Sequence, residues 1–198
     1  MGVRPFVILL DAIVRRRRGV FAFSADEDCL LRLEPGKAPH ALCLGGRPVE
    51  EGDPVLFLHL WNEHLPILPA SGPTVAWAKK AERLFVRSLR QAAEEIRRNP
   101  RLGAVRAVGG ITAIFPPDPG SSGTRFFQRL GFTVLPYRGR LGRFGEFWEN
   151  LYSVWLIRAY NPAGLHGRRA SRLRRSEIWM PIEDFLANFA GERRERPP

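Results

Sequence analysis

The stretch Gly52-Asp53-Pro54-Val55-Leu56-Phe57-Leu58-His59-Leu60-Trp61-Asn62-Glu63-His64-Leu65 decides the fold, because a long apolar run starts on turn residues and ends in a cluster of polar ones. Glycine tolerates positive φ, and proline is accepted at a first strand position, where its missing N–H costs least. A strand therefore starts near Val55. At a period of two, Val55, Phe57, His59 and Trp61 share one face and Leu56, Leu58, Leu60 and Asn62 the other; both read as buried, which marks a central strand. His59, Asn62, Glu63 and His64 gather at its C-terminal end, where a polar pocket can form. His59 is either a hydrogen-bonded histidine of the core or, with Glu63, a base or ligand anchor. Asn62 either bonds loop backbone or faces a ligand, and Glu63 can instead cap the next helix or pair with an arginine.

Downstream, Leu65 to Gly72 is a proline-bearing loop, and Pro73 or Thr74 opens a long helix that runs to about Arg98. Its inward stripe is Trp77, Ala81, Leu84, Phe85, Ser88, Leu89, Ala92 and Ile96, with Lys, Arg and Glu outside. After the breaker Asn99 to Gly103, Ala104 to Phe115 reads as a strand in which Gly109-Gly110 marks a bulge or a close approach of another backbone or a ligand. Ser121 or Ser122 can cap a short helix that Gly131 ends before the strand Phe132 to Tyr137. Arg138 to Gly145 reads as a loop and Phe147 to Tyr160 as an aromatic helix. A basic segment, Leu165 to Arg175, follows. Ser176 to Pro181 is a last strand, Ile182 to Phe189 a short helix, and 191–198 a disordered tail.

Upstream, Cys29 to Leu33 and Ala41 to Leu44 read as strands joined through Glu34-Pro35-Gly36-Lys37-Ala38-Pro39, with Gly45-Gly46 leading on to the central strand. Three antiparallel strands in succession are expected. The apolar run Pro5 to Val14 precedes Arg15, Arg16, Arg17 and Arg18, the reverse of a signal peptide, and is too short to span a bilayer. Phe6, Leu9, Leu10, Ile13 and Arg17 share a helical face, so the segment is either docked on the domain or an amphipathic helix with a basic end at a membrane surface.

The 198 residues, 44% hydrophobic and 11% aromatic, suit one domain over 1–190. The formal charge of +11 is carried by arginine, the only lysines being Lys37, Lys79 and Lys80, and biases the surface toward polyanions or an anionic membrane face. Arg15 to Arg18, and Arg168, Arg169, Arg172, Arg174 and Arg175, are its densest segments. No nucleic-acid motif accompanies them, and nucleic acid is not an expected partner. Cys29 and Cys43 form no CxxC pair and lie at no metal-ligand spacing from a histidine; they read as reduced, buried thiols of a cytoplasmic protein, or as a disulfide if the two neighbouring strands pair, with no metal and no cofactor expected.

Thr124-Arg125-Phe126-Phe127-Gln128-Arg129-Leu130-Gly131-Phe132-Thr133-Val134, a short helix closed by Leu-Gly-Phe and followed by a strand, resembles the late helix and strand of the GNAT N-acetyltransferase superfamily. The order of elements around it fits the middle of that fold. The resemblance implies an α+β single domain, a GNAT-like mixed sheet with flanking helices. That superfamily holds acyl-CoA pyrophosphate on a glycine-rich loop, whereas the corresponding loop here, Glu63 to Pro73, carries prolines that remove N–H donors. Phe127 stands where the superfamily often has its general-acid tyrosine. A divergent acyltransferase is the alternative reading.

Gly52-Asp53-Pro54-Val55 through Leu58-His59-Leu60-Trp61-Asn62-Glu63, with Leu130-Gly131-Phe132 and Ile178-Trp179-Met180, resembles the YkoP-like domain family over most of the chain. Such domains occur alone or joined to polysaccharide deacetylase domains. The resemblance implies a bacterial accessory domain of the cell envelope, non-catalytic, that binds a polysaccharide or glycolipid precursor or a deacetylase partner, and is cytoplasmic or peripheral at the inner membrane face. The ligand-binding candidates are His59, Trp61, Asn62, Glu63, Gly109 and Gly110.

Overall fold

The computed structural model describes residues 4–69, 71–72, 74–112, 122–137, 160 and 175–191. The chain is a single α+β domain. Its elements, in order, are α1 (Arg4–Arg18), β1 (Leu31–Lys37), β2 (Leu42–Leu44), β3 (Arg47–Val49), β4 (Pro54–Leu60), α2 (Val75–Arg98), β5 (Ala107–Thr112), α3 (Ser122–Arg129), β6 (Thr133–Pro136), β7 (Ser176–Pro181) and α4 (Ile182–Phe189). Five strands form a mixed sheet in the order β1-β4-β5-β7-β6, and β2 and β3 form a separate hairpin. Among the described residues only β4 and β5 run parallel, and every other described pair is antiparallel.

β4 begins on Pro54 and lies inside the sheet, between β1 and β5, as its two apolar faces require. Its neighbour differs from the expected hairpin. Glu34-Pro35-Gly36-Lys37, turn residues by composition, belong to β1, which pairs with β4 from Leu31↔Leu60 to Lys37↔Pro54. Pro35 is tolerated because β1 is an edge strand. Leu33 turns its N–H outward, to the Phe21 carbonyl at 3.0 Å, so two residues on the donor that proline lacks also falls on the outer side. β2 pairs with β3 instead of β1, and the three-strand succession is corrected accordingly.

One face of the sheet is dry. Leu31, Leu33, Leu56, Leu58, Val108, Ile178 and Met180 meet Leu89, Ala92, Ala93 and Ile96 of α2, Phe127 of α3, and Phe185 and Phe189 of α4. Thr74 caps α2, its Oγ1 accepting the Trp77 N–H at 3.1 Å. The one polar residue fully buried in the α2 stripe, Ser88, donates to the Leu84 carbonyl and accepts the Leu30 N–H, both at 2.8 Å, which fixes the entry to β1. Helix α3 closes as expected on Gly131 (φ +93°), with bonds from Gly131 N–H to the Gln128 carbonyl and from Phe132 N–H to the Phe127 carbonyl. The Phe127 and Phe132 rings meet edge-on across that turn.

Val55, Ala107 and Trp179 on the opposite face are covered by Leu42, Leu44 and Val49 of the hairpin. Across this face aromatic rings lie over glycines. A Cβ on Gly36 would come within 2.7 Å of the Phe57 ring, and one on Gly109 within 2.2 Å of the Trp179 ring. Gly109-Gly110 makes no bulge, since β5 pairs with β7 without interruption from Ala107↔Pro181 to Thr112↔Ser176. Beside it, the β4/β5 ladder holds only three pairs, ending at Phe57↔Gly109. Of the two cysteines Cys29 is buried, which pushes its thiol pKa up, but Cys43 is exposed, a correction to the reading of both as core thiols.

Candidate functional site

Alternation along β1 and β4 puts Arg32, Glu34 and His59 on the face opposite the dry core, beyond the part the hairpin covers. His59 lies diagonally across from Glu34, with its Nε2 2.6 Å from Glu34 Oε2. The approach is off the N–H axis, and neither atom has another hydrogen-bond partner. The second oxygen, Oε1, accepts from Arg18 Nε at 3.1 Å. Burial raises the Glu34 pKa, but His59 and Arg18 together outweigh it and hold the carboxyl below its usual value. Arg18, Glu34 and His59 thus form a polar chain from α1 to β4.

A second chain runs alongside. Arg15 Nε meets Asp11 Oδ2 at 3.2 Å, and Arg15 Nη1 meets Glu63 Oε1 at 3.2 Å, with Arg32 Nη2 3.7 Å from the same oxygen. Arg32 lies over the Trp61 ring, its Cζ 4.2 Å from the centroid. That ring also stacks on His64 at 3.9 Å and 14°. Asn62 to His64 form a single 3-10 turn, and His64 Nδ1, facing the Cys29 carbonyl at 2.9 Å, carries the proton because a carbonyl only accepts. His59, Trp61, Asn62 and Glu63 therefore gather where β4 ends, together with Arg15, Arg18, Arg32 and Glu34. Gly109 lies beneath Trp179, and Gly110 is close to Leu58, where a Cβ would stand 2.9 Å from the carbonyl oxygen.

The basic surface divides. Arg15 and Arg18 pair with Glu63 and Glu34, Arg18 while staying half exposed, and Arg16 and Arg17 are exposed. Arg175 lies 5.9 Å over the Tyr137 ring, and Arg168, Arg169, Arg172 and Arg174 are outside the described residues. So are the Arg138 to Gly145 loop, the aromatic helix except for Tyr160, and the tail except for Gly191. On the expected apolar face of α1, Leu9 is 60% and Ile13 44% exposed, against docking through those two residues, while Asp11 is buried; the side chains of Phe6 and Leu10 lie outside the described residues.

Other polar groups escaped the sequence reading. Glu177, 2% exposed, accepts the Trp179 Nε1–H at 2.9 Å and has His40 Nε2 at 3.5 Å. A groove of about 350 Å³ lies over α2, lined by Phe23, Arg87, Arg90, Gln91, Glu94 and Arg98 among others. At its edge, the Asp28 N–H and the Gln91 amide hold the Asp26 carboxyl below its usual value, and Arg87 pairs with it at 2.7 Å. Among the described residues no group of three or more His, Cys, Asp or Glu is placed to hold a metal ion. No helix among them is long and apolar enough to cross a membrane.

Together these features define a single mixed-sheet domain whose polar cluster is built from ion pairs that join a helix to the edge strand and to the turn after an inner strand. The YkoP domain family model matches residues 22–189, most of the chain, and the protein belongs to that family. Neither the curated proteins nor the solved structures gave a match.

Proposed function

We propose that the protein is an accessory cell-envelope domain that catalyses no reaction and binds a polysaccharide or glycolipid precursor, or a deacetylase that works on one, at the cytoplasmic face of the inner membrane. The observation that carries this reading is the mutual commitment of the groups a catalyst would need. Glu63 is shared by Arg15 and Arg32 and is not a free base, and His59 is turned through Nε2 to Glu34. What the cluster offers a ligand is the guanidinium and carboxylate groups held around Trp61, a combination that suits sugar hydroxyls. Titration calorimetry with a soluble amino-sugar oligosaccharide tests it. Saturable binding that Trp61→Ala abolishes is expected, and no binding by the wild-type chain overturns the glycan reading.

The alternative, a divergent acyltransferase on a GNAT-like fold, is favoured by one observation: the parallel β4/β5 ladder stops after three pairs, as strands that splay around a cofactor would. Against it, Phe127 is buried among Phe85, Phe126 and Phe132 and has no proton to give. Micromolar binding of acetyl-CoA in the same calorimeter would promote this alternative over the binding module.

A further inference from the structure

A helix on a globular domain normally turns its apolar stripe inward and its charges outward. Among the side chains described in helix α1 the order is reversed. Its buried side carries Asp11, and from the same side Arg15 reaches Glu63 and Arg18 reaches Glu34. Leu9, Ala12, Ile13, Arg16 and Arg17, spaced i, i+3, i+4, i+7 and i+8, are all exposed and form one outward stripe. That stripe is apolar toward the N-terminal side and basic at the C-terminal end, and neither Arg16 nor Arg17 has an ion-pair partner among the described residues. The family match begins at residue 22, so this helix lies outside the matched residues.

We propose that α1 is an interfacial anchor whose outward stripe, Leu9 and Ile13 with Arg16 and Arg17, lies on an anionic lipid bilayer while its ion-paired side holds the domain against that surface. Length fixes the mode of contact. Fifteen residues make about 22 Å of helix, short of the ~30 Å hydrocarbon core, so α1 lies in the interface and does not cross it. Charge selects the occupant. Leu9 and Ile13 reach the acyl boundary, and the long arginine side chains meet the phosphates at the level of the headgroups. A second copy of the chain would set arginines against arginines, and nucleic acid would leave the leucine and isoleucine without a partner. The formal charge of +11 acts in the same direction at longer range. This inference rests on the reading of a domain that works at the membrane face, and names the part of the chain that touches it.

Vesicle sedimentation tests it, with the full chain and phosphatidylglycerol/phosphatidylcholine vesicles against phosphatidylcholine alone, at low and at high salt. Wild type is expected to bind only the anionic vesicles and to be weakened by salt. The double variants Leu9→Glu/Ile13→Glu and Arg16→Glu/Arg17→Glu should each lose on the order of tenfold or more in partitioning. Their thermal melts should match wild type, since all four side chains are exposed. Variants that bind as well as wild type, or a wild-type dimer that the Leu9/Ile13 variant dissolves, would overturn the proposal. Wild type that binds the oligosaccharide but no vesicles defeats the anchor and leaves the binding module standing. Vesicle binding with no oligosaccharide binding does the opposite.

Discussion

Helices α1 and α2 have comparable sequence patterns and opposite fates. Both carry an apolar stripe and end in arginines, yet α2 buries Leu84, Leu89, Ala92 and Ile96 against the sheet, whereas α1 turns Leu9 and Ile13 to solvent and docks through Asp11, Arg15 and Arg18. The difference lies in the surface each one meets. Leu31, Leu33, Leu56 and Leu58 offer α2 an apolar face, while α1 meets Glu34 and Glu63, for which only basic side chains are complementary. Periodicity fixes where the apolar side of a helix is, and the partner surface decides which side is used.

The largest effect should come from the α2 side. Leu89→Ala, at a fully buried position, is expected to cost about 2 to 5 kcal/mol in a denaturant titration. A loss within the range of surface substitutions would mean that α2 is not the principal cover of the core. On the α1 side the key residue is His59. His59→Ala leaves Glu34 Oε2 buried without its partner and should cost roughly 1 to 3 kcal/mol. A melt like wild type would show that Arg18 alone satisfies the carboxylate.

Acid sharpens the same comparison. Because folding lowers the Glu34 pKa, its contribution to stability is complete above the usual glutamate value and is lost as pH falls through the lowered folded value. Wild type should therefore lose stability with acid more steeply than Glu34→Gln, a difference that thermal melts across the acid range would record. Equal slopes would show that the ion-paired side of α1 contributes nothing. The smallest effects are expected where the pairing is open to water. Glu63→Ala and Leu9→Ala should each stay within about 0.5 kcal/mol of wild type in the same titration. A larger loss from Leu9→Ala would mean that the outward stripe has a partner within the chain.

Much of the fold was legible where one local signal sufficed. Pro54 starting β4, Thr74 capping α2, Gly131 closing α3, and the bounds of β7 and α4 all follow from turn, cap and period rules that depend only on near neighbours. Glu34-Pro35-Gly36-Lys37 misled because an edge strand tolerates the same residues that make a turn. The alternation Leu31-Arg32-Leu33-Glu34 did hold the missing signal, since a period of two sets Arg32 and Glu34 on one face, opposite the leucines. What it could not supply was the partner. Glu34 finds Arg18 and His59 through pairing of β1 with β4 and docking of α1, contacts between segments well separated along the chain. His59 and Glu63 could be named as candidates, but not their separate ties to α1, His59 through Glu34 to Arg18 and Glu63 directly to Arg15.

The rings laid over Gly36 and Gly109 select among ways of assembling the sheet. Sliding β5 by one residue against β7 would invert its faces, and sliding it by two would keep them but set Trp179 over Ala107 or Ile111, each of which carries a Cβ where the ring must lie. Only glycine at 109 leaves that space, so a single absent methyl group rejects the nearest misalignments of β5. Gly109→Ala should therefore do more than crowd the core: it would make the correct alignment of β5 no better than its neighbours, and the penalty should show in the refolding rate as well as in the final stability.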